Sequence, residues 1–358
     1  MSMRRISRQV LCGDVPIGGG APVTIQSMTS TDTRDIEATA AQIQRLEEAG
    51  CQIVRCAVPD MEAAAAIGSI RKKIHIPLVA DIHFDHRLAI ESIRQGADKI
   101  RINPGNMPDR DHVRKIISEA KSRSIPIRIG VNSGSLEKDL LQKFGAVTAE
   151  GLAESALRNI ALIEGMGFED IVVSIKSPHV RLNYEAHLIL AEKTIHPMHI
   201  GITESGTPEH GKVKSAVGIG ALLLAGIGDT IRVSLTGDPV SEVLLGKEIL
   251  KAAGLIEEGI EFISCPTCGR CSVDMVKIAS QIEQELDELG EKKHLTVAVM
   301  GCEVNGPGEA READIGIAFG KGKAVMFRKG IPVKTLPVEN IKYEFIKAVK
   351  ELLNSNEQ

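Results

Sequence analysis

Between residues 23 and 255 the chain repeats one pattern. A short run of β-branched and other apolar residues is followed by a longer stretch in which apolar residues recur at helical spacing. The runs cover 23–28, 53–58, 77–82, 99–103, 126–132, 170–176, 198–204 and 230–235. The helical stretches cover 36–49, 61–74, 87–95, 111–123, 149–166, 180–193, 213–225 and 240–253. Gly50, Gly96, Gly167 and Gly226 stand just after helices, where a left-handed glycine commonly closes the last turn. Eight strand-then-helix units in about 230 residues predict an α/β chain built as a (β/α)8 TIM barrel, with a doubly wound sheet as the runner-up. Residues 8–21, which include Gly18, Gly19 and Gly20, predict a hairpin that plugs the N-terminal end of the barrel.

After Leu255 the pattern changes. A polar break at Glu257, Glu258 and Gly259 leads into a cysteine cluster, a helical stretch over 273–289 and a strand over 295–300. Short strands over 315–318, 323–327 and 333–336 and a terminal helix over 341–353 complete the chain. The predicted division is therefore a barrel domain at 1–255 and a smaller α+β domain at 256–358, large enough for its own core.

Composition narrows the function. The 358 residues are 43% hydrophobic and 25% charged, ordinary for a globular chain, and the net charge of −4 suggests neither a nucleic-acid tail nor a membrane-surface patch. Aromatics are 3% with no Trp, which argues against base-stacking platforms. No apolar run reaches 18 residues and the N-terminus has no signal-like segment, so a cytoplasmic protein is expected. Thiols stay reduced there, so the seven cysteines are not read as a disulfide framework; Cys12, Cys51 and Cys56 read as small buried residues.

Barrels of this kind bind substrate at the C-terminal ends of their strands. Polar residues gather there: Arg55, Asp81, His83, Arg101, Asn103, Arg128, Asn132, Ser174, Lys176, Glu204, Arg232 and Ser234. Strand alternation gives Arg101 and Asn103, Arg128 and Asn132, Ser174 and Lys176, and Arg232 and Ser234 a common facing in each pair. Arg55, Arg101, Arg128, Lys176 and Arg232 are five cations against Asp81 and Glu204. Buried cations without partners cost several kcal/mol each, so the excess predicts a ligand with two or more negative charges, most simply a phosphate or diphosphate. The competing reading turns some arginines outward to pair with helix carboxylates. Glu204, at the end of the seventh run, is the acid–base candidate, against a structural tie to an arginine. His83 reads equally as a core histidine or as a residue near substrate.

The cysteine cluster reads Cys265, Cys268 and Cys271 in the segment CPTCGRC, with Cys302 in GCEVNGPGE. Two thiolates separated by two residues fit structural zinc or an iron–sulfur cluster. The second half offers one cysteine, so the fourth ligand is open between Cys271, Glu303 and Glu309, and an oxygen ligand would suit an iron that must bind substrate.

These two segments, together with VTIQSMT at 23–29, VADIHF at 79–84 and RINPGN at 101–106, resemble the 4-hydroxy-3-methylbut-2-enyl diphosphate synthase family, over essentially the whole chain. The resemblance implies an iron–sulfur oxidoreductase of non-mevalonate (MEP) isoprenoid synthesis in its short two-domain form. It implies a 4Fe–4S cluster on Cys265, Cys268, Cys302 and Glu309, with Cys271 a bystander. It implies a clamp of Arg55, Arg101, Arg128, Lys176 and Arg232, assisted by Asn103, Asn132 and Ser234, on 2-C-methyl-D-erythritol 2,4-cyclodiphosphate, with Asn305 by the cluster. Two electrons open the ring and remove the C3 hydroxyl as water, Glu204 being the proton donor. The implied partners are ferredoxin or flavodoxin as electron donor and a second copy of the chain in a homodimer.

Overall fold

The structure, a computed structural model, describes residues 4–107, 109–268, 270–271, 273–289, 293–302, 308, 310–320 and 322–354. It divides into two compact units, residues 1–256 and 257–358.

In the first unit a hairpin of β1 (Val10–Cys12) and β2 (Val15–Ile17) precedes eight parallel strands. These are β3 (Thr24–Met28), β4 (Ile53–Ala57), β5 (Leu78–Asp81), β6 (Lys99–Ile102), β7 (Ile127–Asn132), β8 (Ile171–Lys176), β9 (His199–Ile200) and β10 (Thr230–Ile231). They pair in the order β8-β7-β6-β5-β4-β3-β10-β9, and a bridge between Val173 and Met198 closes the ring. The helices are α1 (Ile36–Glu48), α2 (Met61–Arg71), α3 (His86–Arg94), α4 (Arg110–Ser122), α5 (Lys138–Phe144), α6 (Ala149–Glu164), α7 (Val180–Ala191), α8 (Pro208–Leu224) and α9 (Pro239–Ala252).

Several helices start for a local reason. Asp35, Asp60, Asp85, Asp109 and Asp238 each accept a hydrogen bond from a backbone N–H in the first turn of the helix that follows. Each satisfies a donor that has no partner inside the helix, and loss of such a cap costs about 1 kcal/mol. The outward-facing strand residues, among them Ile100, Ile102, Ile127, Ile129, Val173 and Ile175, are buried against the helices in one continuous core. Full burial of each side chain stabilises by roughly 1.5–3 kcal/mol. The alternation therefore commits the other parity, including Lys99, Arg101, Arg128, Ser174 and Lys176, to the barrel interior.

The hairpin plugs the barrel as expected: Val10, Cys12 and Ile17 pack against Ile53, Val79 and Val172. Its turn lies between Cys12 and Val15, with Gly13 left-handed, and not at the glycine triplet, which follows β2. Cys12, Cys51 and Cys56 are buried free thiols. Three features depart from the reading of the chain. β9 and β10 have only two residues each, shorter than the apolar runs that predict them. α5 is an additional helix after β7. In the second unit, β11 (Ile260–Ser264) is a strand too short and too polar to show as an apolar run.

The second unit is a five-stranded sheet of β11, β12 (Leu295–Met300), β13 (Ile315–Phe319), β14 (Lys323–Arg328) and β15 (Ile331–Pro337), in that order. The first three strands are parallel and the last two antiparallel to their neighbours. α10 (Met275–Asp287) and α11 (Val338–Asn354) cover one face, where Ile282, Leu286, Phe345 and Val349 meet Val297, Ile315, Ile317 and Phe319. No described helix is long and apolar enough to cross a membrane.

His187, fully buried on α7 with Nδ1 2.8 Å from the Asn183 carbonyl, is pushed down to about 4 by burial. The unfolded chain binds that proton near pH 6.5, so stability is lost as pH falls from about 6.5 to 4, by roughly 1.4 kcal/mol per pH unit for this group. His199, held neutral by burial and by the neighbouring Arg128, acts in the same direction. Urea midpoints measured across this window should therefore fall less steeply for His187→Gln than for the unsubstituted chain; equal slopes would mean that His187 titrates normally.

Candidate active site

The C-terminal ends of the barrel strands carry a cavity of about 190 Å³ lined by Arg55, Asp81, His83, Arg101, Arg128, Asn132, Ser174, Lys176, Thr203 and Arg232. All five cations singled out at the strand ends reach it. Two buried carboxylates face them. Asp81 Oδ1 lies 3.1 Å from Arg101 Nη1, and Asp81 Oδ2 lies 3.7 Å from Arg55 Nε. Burial alone would raise the Asp81 carboxyl, but Arg55, His83, Arg101 and Arg128 together hold it well below the usual carboxylate range. Glu242 Oε2 lies 3.8 Å from Arg232 Nε.

The remaining cations are barely paired. Arg128 is almost fully buried and donates one long hydrogen bond, 3.4 Å, to Gln26 Oε1. Lys176 Nζ is buried and has no hydrogen-bond partner among the described residues. Burial, reinforced by the surrounding guanidinium groups, pushes both well below their ordinary values. Five cations against Asp81 and Glu242 leave an excess of three positive charges on the cavity wall. A glycine makes room for this crowding: a Cβ at Gly130 would lie 2.4 Å from Arg101 Nε.

A wider chamber of about 540 Å³ adjoins the first and shares Asn132, Lys176 and Thr203 with it. Glu204 stands there, exposed, with φ of 50°, a left-handed backbone held in place by the turn after β9. Val147, Pro178 and Leu182 give this chamber apolar surface that the charged cavity lacks.

Two predicted residues do not line either cavity. The Asn103 side chain accepts from the Gly105 N–H, 3.2 Å, and caps a 3-10 turn, while the Ser234 carbonyl accepts from the Ser205 hydroxyl. Both lie beyond the last ladder residue of their strands, where alternation no longer fixes facing. Glu242, in the first turn of α9, went unread in the sequence. Its only signal is a carboxylate at a helix position that packs toward the barrel.

In the second unit the cysteine motif follows β11, and Gly301 and Cys302 follow β12. The two strands are parallel neighbours, with Ser264 opposite Val299, so the ends that carry Cys265 and Cys302 emerge side by side. The Gly301 N–H donates to Cys265 Sγ at 3.0 Å. A Cβ at Gly301 would lie 2.9 Å from Cys271 Sγ and 3.2 Å from Cys265 Sγ, so the bare backbone forms a cradle for sulfur. Cys271, set aside as a bystander in the sequence, thus shares this cradle. Cys268 is exposed. Among the described residues no three metal-ligating side chains close on one point. Asn305 and Glu309 lie outside the described residues. Soft thiolate donors on adjacent strand ends, with a backbone N–H aimed at sulfur, fit an iron–sulfur group.

Residues 7–247 match the GcpE TIM-barrel domain and residues 261–351 match the GcpE protein C-terminal domain. The chain belongs to the GcpE family. Its relatives include the 4-hydroxy-3-methylbut-2-en-1-yl diphosphate synthase (flavodoxin) of Caldanaerobacter subterraneus subsp. tengcongensis, 55% identical over 99% of each chain. The enzyme of the same name from Clostridium perfringens is 56% identical over 98% of this chain and 99% of its own. The barrel of this GcpE chain also superposes on dihydropteroate synthase from Stenotrophomonas maltophilia, with a TM-score of 0.51, 13% identity and coverage of 69% of this chain and 97% of that one. At that identity the likeness concerns the fold alone.

Asp81→Asn keeps the shape of the side chain and strips Arg55 and Arg101 of their counter-charge. It should destabilise the barrel by about 3–5 kcal/mol, read as a lower urea midpoint, and added inorganic diphosphate should restore part of the loss. An unchanged midpoint would mean that Asp81 does not balance these arginines.

Proposed function

We propose that this chain reduces 2-C-methyl-D-erythritol 2,4-cyclodiphosphate to 4-hydroxy-3-methylbut-2-enyl diphosphate. The observation that carries the reading is the cluster of five cations around the smaller cavity, two of them, Arg128 and Lys176, left almost without partners. A diphosphate supplies the missing negative charge, and planar guanidinium groups match its oxygens. The names and the near-complete coverage of the relatives support the same substrate class.

In this reading Arg55, Arg101, Arg128, Lys176 and Arg232 grip the diphosphate, with Asn132 beside it, and the carbon skeleton extends into the wider chamber, where apolar Val147 and Leu182 face its methyl group. Glu204 stands at that chamber and delivers a proton from its carboxyl oxygen to the departing C3 hydroxyl, which leaves as water. The overall change takes up two electrons and one proton, breaks the C2–oxygen bond to phosphate and the C3–oxygen bond, and forms one carbon–carbon double bond. Cys265, Cys268 and Cys302, with Glu309 as the exchangeable oxygen ligand, would hold a 4Fe–4S cluster in the second unit. When bound, that cluster supplies low-potential electrons. Asn305 would stand near it, and Asn103 and Ser234 would support the clamp through the loops that they fix. Flavodoxin, part of the printed name of the relatives, is the proposed electron donor, with ferredoxin as the second choice.

A cytoplasmic location suits thiolates that must stay reduced. A homodimer suits the outer face of α8, where Val213, Val217 and Leu224 form an exposed apolar stripe beside Leu244 of α9.

The deciding experiment is anaerobic turnover of the cyclic diphosphate by iron-loaded protein with reduced flavodoxin or a chemical reductant, the product being identified by mass. Colourless, zinc-bearing protein without turnover would overturn the proposal. Arg128→Ala should weaken binding of the cyclic diphosphate by roughly ten- to a hundredfold without changing iron content. Gly301→Ala places a methyl group in the sulfur cradle and should lower iron and acid-labile sulfide per chain; full iron content in that variant would dispose of the cradle as a cluster support.

A further inference from the structure

Beside the charged cavity stands a buried carboxylate for which neither the clamp nor the proton transfer has a use. Glu242 is buried, 6% exposed, in the first turn of α9. Its Oε1 accepts the Leu235 backbone N–H at 2.9 Å. Its Oε2 accepts from the Ser27 hydroxyl at 3.4 Å and lies 3.8 Å from Arg232 Nε. One side chain thus ties together the loop after β10, the strand β3 and a cation of the anion cavity. Among the described residues Arg232 Nε has no hydrogen-bond partner, and Glu242 holds it by charge at a distance slightly too long for a hydrogen bond. Asp81 plays the same part for Arg55 and Arg101.

We propose that Glu242 is a positioning residue that sets how tightly Arg232 grips a diphosphate, and through it how readily a diphosphate product leaves. The inference rests on the reading of the smaller cavity as a diphosphate site. A guanidinium shared between a buried carboxylate and a ligand gives the ligand less than its full charge. The carboxylate also keeps Arg232 pointed at the cavity wall, so a released ligand leaves behind a compensated cation and not a bare one. Burial raises the Glu242 carboxyl and the neighbouring Arg232 opposes that rise, in keeping with a carboxylate retained for its partner. Three hydrogen-bonding or charge contacts on two oxygens also separate its roles chemically. A glutamine oxygen still accepts from Leu235, but no negative charge faces Arg232. An aspartate keeps the charge, but its shorter stem reaches Leu235 poorly.

The test uses the full-length, iron-loaded protein, with inorganic diphosphate as calorimetric probe and the cyclic diphosphate as substrate. For Glu242→Gln, inorganic diphosphate should bind roughly tenfold more tightly, and kcat should fall together with KM, because release slows as grip increases. Glu242→Asp should keep the affinity of the unsubstituted chain for inorganic diphosphate while losing stability in urea. In an Arg232→Ala background, Glu242→Gln should leave that affinity unchanged, because the effect travels through Arg232. Equal affinities for the Gln and unsubstituted chains, or a Gln effect that persists without Arg232, would overturn the inference while leaving the diphosphate site intact. If the unsubstituted protein itself fails to bind inorganic diphosphate, the reading of the cavity falls, and this inference falls with it.

Discussion

Like charge crowded inside a barrel is the constraint on which the rest of this protein depends. Arg55, Arg101, Arg128, Lys176 and Arg232 converge on a cavity of about 190 Å³ with, among the described residues, Asp81 and Glu242 to balance them. Left to themselves these groups would move apart or reach for water. They stay because each is anchored to a strand whose opposite face is buried in the apolar layer between sheet and helices. Hydrophobic burial outside the sheet thus sustains electrostatic strain inside it, and a polyanion that enters the cavity relieves that strain.

The carboxylates qualify the picture in a useful way. Asp81 and Glu242 divide the cations into those already held and those still unpaired. Arg128 and Lys176 belong to the second group. A site in which every cation were free would be less stable and, on the reading proposed above, slower to release its product. A site in which every cation were paired would have little left to offer a ligand.

Both units use the same geometric device for different chemistry. Parallel strands end together, so residues just past their C-termini converge without any long loop to position them. In the barrel this gathers guanidinium groups; in the second unit it sets Cys265 beside Gly301 and Cys302. In each place a glycine supplies the missing volume, Gly130 for Arg101 and Gly301 for two thiols. On the function proposed above, the hard, fixed charges of one site would hold a diphosphate and the soft, polarisable donors of the other an electron carrier.

The chain's own periodicity was enough for the eight strand–helix units, because apolar spacing follows directly from which face of each element meets the core. It was enough for Arg101, Arg128 and Lys176 as well, since alternation within a paired strand dictates facing; Arg55 was read from its place near a strand end, and Arg232 keeps the facing of β10 one residue past its last paired position. That logic ends with the ladder. Asn103 and Ser234 share the parity of their neighbours but sit past the last paired residue, where a cap and a turn decide their direction instead. Glu242 was invisible for the opposite reason: it belongs to a helix, and only the packing of α9 against β3 and β10 brings its carboxylate to Arg232 and Ser27. Cys271 reads as one thiol too many in a linear motif, and only the folded end of β12 sets it against the backbone of Gly301. Local spacing determined which residues could face inward; contacts between elements far apart in the chain decided which charges meet, because distance in three dimensions, on which Coulomb attraction depends, is not written in the order of residues.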